Sequence, residues 1–108
     1  MSICSPAAPL IGRYVTARCT QAGVHSGVLA DADGPVIRMT DSRRLYYWRA
    51  AQSSFTLSGV AVHRLAAGSK ISLPVEHIVL TEVGEIIACS DEAQETIKSF
   101  AAHQGLYV

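Results

Sequence analysis

An excess of charge of either sign is what this 108-residue sequence most plainly lacks. Nine Lys and Arg balance nine Asp and Glu, for a formal net charge of zero. A general nucleic-acid binder carries surplus cations to meet phosphates, so the balance speaks against that class. Charged residues are sparse at 17%, whereas 49% are apolar, a composition that excludes a disordered chain and supports one domain with a modest core. Cysteine is scarce and unsuitably spaced. Cys4, Cys19 and Cys89 are odd in number and far apart, without a C-x-x-C pair. That excludes a disulfide framework and reads as reduced cytosolic thiols, with Cys19 and Cys89 in apolar runs as core residues. No apolar run approaches the ~18 residues of a membrane span. The N-terminal stretch has neither a charged n-region nor an apolar h-region, so no signal peptide is read.

The marks of catalysis are missing as well. There is no Gly-x-Ser-x-Gly, no His-Glu-x-x-His and no Gly-x-Gly-x-x-Gly. His25, His63, His77 and His103 are scattered, with no metal-ligand spacing to the cysteines. Glu76-His77 reads as a strand edge rather than an acid–base pair. A hydrolase built on His25 and Ser26 would need a third orienting group that the sequence does not offer. The expectation is therefore a binding protein that is not an enzyme and uses neither cofactor nor metal.

What is present is concentrated. Aromatic residues are only 6% of the chain, yet Tyr46, Tyr47 and the single Trp, Trp48, are consecutive. Arg38, Arg43, Arg44 and Arg49 bring four of the nine cations into the same twelve residues. Guanidinium groups grip phosphate or carboxylate bidentately and stack on rings. If residues 43–49 form a strand, alternation places Arg44, Tyr46 and Trp48 on one face and Arg43, Leu45, Tyr47 and Arg49 on the other. One cation beside two rings suits a base held by stacking, about 1–3 kcal/mol, and a phosphate held by charge, about 1.5–3 kcal/mol. A second candidate is Ala22–Gly27, read as a small-residue turn whose backbone N–H groups meet an anion, with His25, Ser26 and Gly27 contributing. The expected ligand-binding set is thus Arg43, Arg44, Tyr46, Trp48, His25, Ser26 and Gly27. Charge is also divided along the chain: residues 1–60 carry six Arg against three Asp, and residues 61–108 carry three cations against six acids. That division suits a polarised surface or contacts between subunits.

Patterning predicts an α+β fold: a small antiparallel β-meander or partly open barrel of about six to seven strands, with helices at about 54–67 and 91–103. Residues 1–11, rich in Pro, Ala and Ser, read as a flexible arm, and 12–108 as a single domain. Arg13–Thr20 alternates as a strand. Val28–Ala30 and Val36–Thr40 flank Asp-Ala-Asp-Gly-Pro, a hairpin signal. Thr40–Arg43 reads as a second turn leading to a strand through Trp48, which makes the first half a four-stranded meander. Ser53 or Ser54 caps the first helix and Gly68 closes it. Residues 71–75, 77–83 and 85–89 read as strands, with a turn or bulge at Val83-Gly84-Glu85. Ser90 or Asp91 caps the last helix, which Gly105 ends, with Ala93, Ile97, Phe100 and Ala101 on one face.

Gly12-Arg13-Tyr14-Val15, Ala22–Gly27, Arg43–Trp48, Leu80-Thr81-Glu82-Val83 and Glu85-Ile86-Ile87 together resemble a family of small tailed-phage proteins of unknown function. Its motifs read Gly-Lys-Tyr-Val, Ser-Ala-Gly-Val-His, Ala-Arg-Arg-Ile-Trp-Tyr-Trp, Leu-Leu-Thr-Glu and Glu-Ile-Ile-Pro. Here Gln21 stands for the Ser of the second motif and Tyr46 for the first Trp of the third. The likeness covers about residues 12–98 and implies a phage or prophage origin and action in the host bacterial cytoplasm. The resulting expectation is a homo-oligomeric protein that binds a small anionic, nucleotide-like ligand, for instance sequestering a host immune signalling nucleotide. Two rivals belong to other classes: an inhibitor or accessory factor acting on a host protein, since Tyr, Trp and Arg also dominate protein interfaces, and an RNA- or tRNA-binding module working through a local basic patch.

Overall fold

Alternating β-branched and apolar residues build one antiparallel sheet, the main element of this fold. The computed structural model describes residues 6–48 and 57–102. Six strands form the sheet: β1 (Tyr14–Cys19), β2 (Gly23–Asp33), β3 (Val36–Tyr47), β4 (Lys70–Ile71), β5 (Val75–Leu80) and β6 (Val83–Ala88). Two helices, α1 (Leu57–Val62) and α2 (Asp91–Ser99), complete a small α+β fold. The strand order is β4-β3-β2-β1-β6, and β5 lies beside β3 on the same flank as β4. β4 and β5 thus share one edge, against the C-terminal and N-terminal parts of β3 respectively.

Consecutive strands β5 and β6 are only two residues apart, yet they lie on opposite edges of the sheet. Such a short crossing requires the sheet to curl until the end of β5 reaches the start of β6. Two backbone bonds fix the crossing: Val83 N–H donates to Pro35 O at 3.0 Å, and Thr20 N–H to Glu82 O at 3.2 Å. Glu82 turns the chain at φ +55°. β5 and β6 do not pair with each other, so the sheet stays unclosed, as the expected partly open barrel implied.

The curl gives the sheet two apolar faces, and the core divides accordingly. One face packs on the helices: Tyr14, Val24, Leu45 and Ile71 meet Leu57, Val60, Ala61, Leu65, Ala93 and Ile97. The other closes on itself: Val15, Ala17, Cys19, Leu29, Ile37, Met39 and Leu80. A polar chain crosses the helix-facing side, from Ser26 Oγ to Thr16 Oγ1 at 2.8 Å and on to Cys89 Sγ at 3.2 Å. Hydroxyls buried this deeply are tolerated because they satisfy one another. Cys19 and Cys89 are both buried free thiols, and burial pushes both above the ordinary thiol value.

Several boundaries differ from the sequence expectation. Ala22–Gly27 is not a loop; from Gly23 onward it is β2. Thr40–Arg43 is not a turn but the interior of β3, where Asp41 takes φ +52° and the β2–β3 register shifts between Ser26 and Val28. The first half therefore holds three strands instead of four. Among the described residues α1 spans Leu57–Val62 and stops short of residue 67, and α2 ends at Ser99. The expected caps at Ser53 and Ser54 and the stop at Gly105 lie outside the described residues. At the start of α2, Ser90 Oγ accepts from Ala93 N–H at 3.1 Å, the capping expected there. Gly84 supplies the expected bulge, since the β1–β6 register shifts between Arg18 and Cys19. Of the expected N-terminal arm, residues 1–5 lie outside the description. Ala8–Leu10 forms a 3-10 turn, and Ala7 and Leu10 pack on the second cluster. No helix among the described residues is long and apolar enough to cross a membrane.

Candidate functional site

β2 and β3 carry all seven residues expected to bind a ligand, except Trp48 just beyond β3. The register sets Val24 opposite Leu45, His25 opposite Arg44 and Ser26 opposite Arg43. Residues opposed in an antiparallel pair share a face. Arg43 and Ser26 therefore face the helices, and Arg44 and His25 face the inside of the curl.

Arg43 is spent on the fold. It is 5% exposed. Its Nε donates to Ser72 O at 2.8 Å, and its Nη1 lies 2.8 Å from Ile97 O and 2.7 Å from Phe100 O. The carbonyls of Ile97 and Phe100 belong to the C-terminal end of α2, where a cation also meets the negative end of the helix dipole. Burial pulls the guanidinium pKa down, against the opposing pull of Tyr14 and Asp41. Ser26 is fully buried on Thr16. Gly27 lies against the backbone of Thr40–Ser42, so its missing side chain serves a close strand approach. Trp48 is half-buried and packs on the helix-side cluster. A register shift between Leu45 and Tyr47 breaks the alternation that would have kept it beside Tyr46.

The remaining three residues converge. His25, Arg44 and Tyr46 line one cavity of about 260 Å³ together with Ser72, Val75 and Ile78. Arg44 and Tyr46 are exposed, with Tyr46 at 60%. Ser72 is held against β3, since its Oγ accepts from Arg44 N–H at 2.8 Å and its own N–H donates to Arg44 O at 2.8 Å. These two bonds fix the backbone from which the guanidinium projects. His25 is 1% exposed, and its Nε2 sits 2.9 Å from Ala22 O. A carbonyl only accepts, so Nε2 carries the proton and Nδ1 keeps its lone pair. Burial, assisted by Arg44, holds the His25 pKa below its ordinary value, against the Ala22 bond. The ring is neutral at pH 7.

This arrangement offers an exposed cation, an exposed phenol ring and a neutral imidazole around a cavity with an apolar floor. It can hold a ligand carrying an anionic group and a flat polar ring. Ser72, Val75 and Ile78 escaped the sequence reading. The available signal was Leu73-Pro74-Val75, apolar residues around the proline that precedes β5, which reads equally well as core. Val75 also borders a second cavity of about 470 Å³ lined by Thr40, Asp41, Pro74, Glu76 and His77. Among the described residues, no three His, Cys, Asp or Glu side chains stand close enough together to hold a metal ion.

A protein family described as a domain of unknown function (DUF6948) matches residues 12–97. No curated protein and no solved structure matches the chain.

Proposed function

The chain belongs to the DUF6948 family of domains of unknown function, and from that premise we propose that it is a non-enzymatic binding protein for a small anionic, nucleotide-like ligand. The observation that carries this reading is the meeting of Arg44, Tyr46 and His25 on one cavity. Arg44 takes a phosphate through charge-assisted bonds, Tyr46 stacks on the base, and His25 accepts from its polar edge. A cavity of about 260 Å³ falls slightly below the usual range of roughly 300–1,000 Å³ for ligand sites. It therefore encloses one moiety of a nucleotide and leaves the rest along the surface.

The motif likeness to small tailed-phage proteins supports a phage-encoded protein acting in the bacterial cytoplasm. There a binder without chemistry counters host defence by sequestering a signalling nucleotide. Holding a ligand in a stoichiometric complex requires no reaction, which fits a site of one cation and one ring. A homo-oligomer raises the number of sites per particle.

A thermal-shift panel tests the reading, using mono- and dinucleotides, cyclic di- and trinucleotides and ADP-ribose derivatives. Ligand at a hundred times its dissociation constant adds about 2.7 kcal/mol, and each kcal/mol moves the melting point of a domain this size by roughly 4–8 °C. A shift of that order for one class, abolished by Arg44→Ala, is the expected result. A flat panel rejects the proposal and favours a host-protein target, for which exposed Tyr46 and Tyr47 would be the contacts.

A further inference from the structure

Strand β5 is a sheet edge. It pairs with β3 through Ile37–Leu80, Arg38–Val79, Met39–Ile78, Thr40–His77 and Ser42–Val75. Among the described residues it pairs with no other strand, so its other flank presents unmatched backbone donors and acceptors. Natural edges are guarded by charge, proline or a covering segment. Pro74 guards the start of this one, and only His77 interrupts an otherwise apolar outward face: Val75 is 44% and Val79 59% exposed. Leu73 and Tyr46, also exposed, extend the stripe at the Val75 end, where Tyr46 and Val75 share a cavity. An apolar stripe along an open edge is the feature on which another strand adds.

We propose that the occupant is a second copy of this chain, whose β5 pairs antiparallel with the first about a two-fold axis at His77. The segment is self-complementary in this register. A two-fold perpendicular to the sheet brings together residues of the same face. His77 then meets the partner's His77, and Val75 meets the partner's Val79 on either side. Arg38 stands behind Val79 and Ser42 behind Val75 on the neighbouring strand, so no like charges confront each other across the join. The two adjacent registers are worse. Slipping one way sets Glu76 against the partner's Glu76, a like-charge pair. Slipping the other way sets His77 against the partner's Val79 and leaves Val75 beyond the end of the partner's strand. The two sheets become one continuous sheet, with Val75 of the Arg44 cavity at the join.

The experiment reads both association and register. Wild-type protein is followed by sedimentation velocity at micromolar concentrations, and single cysteines are placed on β5 in a Cys4→Ser background. Facing Cα atoms in an antiparallel pair lie about 4.5–5.5 Å apart, within the roughly 4.4–6.8 Å that a disulfide spans. The expected result is a wild-type dimer, weakened about tenfold or more by Val79→Lys. On mild oxidation His77→Cys forms a covalent dimer. Val79→Cys alone does not, but it cross-links when mixed with Val75→Cys. A wild-type monomer at every concentration, or equal cross-linking by Val79→Cys and His77→Cys alone, overturns the proposal.

Discussion

A β-carbon on Gly27 would stand 2.8 Å from the Cα of Ser42 and 2.9 Å from the carbonyl oxygen of Thr40. Both are backbone atoms of the neighbouring strand and cannot rotate away. The bulge that carries Asp41 at φ +52° brings β3 this close to β2. Gly27→Ala therefore forces the two strands apart in the middle of the sheet. The expected loss is about 2–4 kcal/mol, read as a melting point lower by about 10 °C or more in circular dichroism. A variant as stable as wild type would mean that the bulge relaxes without cost.

Much of the fold was legible because its elements are locally consistent. Alternation in residues 14–19, the Asp-Gly-Pro turn and the Ser90 cap each point to the element that forms. The errors share a physical origin. Ala22–Gly27 and Thr40–Arg43 are rich in small and polar residues, which signal loops when one sheet face meets water. Here both faces are covered, one by helices and one by the curl, so His25, Ser26 and Ser42 are buried inside strands. Alternation separated Arg43 from Arg44 correctly, but it does not reveal that the face bearing Arg43 lies under the end of α2. Nor does it foresee the bulge beyond Leu45 that returns Trp48 to the core.

The two adjacent arginines are therefore expected to part in mutagenesis. Arg43→Met strips the partner from the carbonyls of Ser72, Ile97 and Phe100. Stranded buried acceptors cost about 1–3 kcal/mol each, less where water enters, so a total loss of roughly 3 kcal/mol is expected by urea unfolding. Arg43→Lys recovers little, because one ammonium cannot span these acceptors. Arg44→Ala stays within about 0.5 kcal/mol of wild type while losing ligand-induced stabilisation. Equal destabilisation by both would contradict the division of roles.

Among the described residues, two buried hydroxyls, Tyr14 Oη and Ser42 Oγ, have no hydrogen-bond partner. Burial also drives the Tyr14 phenol well above its ordinary pKa, so it is protonated throughout the accessible range. An unmatched buried hydroxyl is a desolvation cost that its removal relieves. Tyr14→Phe and Ser42→Ala are expected to be neutral or to stabilise by up to about 1 kcal/mol. Melting curves check this, and a loss beyond about 1 kcal/mol for Tyr14→Phe would reveal a hydrogen bond made through buried water.

His25 links stability, pH and ligand choice. Its native pKa is lowered from 6.5 by burial, so the unfolded chain takes up the proton more readily than the native one. Stability is then full above pH 6.5 and falls as pH drops from there toward the lower native value. Wild type should lose melting temperature between pH 7 and pH 5 more steeply than His25→Gln; parallel profiles would show that the ring titrates freely. The same neutral ring presents its lone pair at Nδ1, since Nε2–H is committed to Ala22 O. It can accept from an exocyclic amine but cannot donate to a carbonyl or phosphate. Adenosine monophosphate is expected to bind about 5–10-fold more tightly than purine riboside monophosphate, whose base has no N–H on that edge, the order of one net hydrogen bond. Calorimetry should find that preference erased in His25→Phe while Arg44 still holds the phosphate. Equal affinities in wild type would remove His25 from recognition and leave Arg44 and Tyr46 as its whole basis.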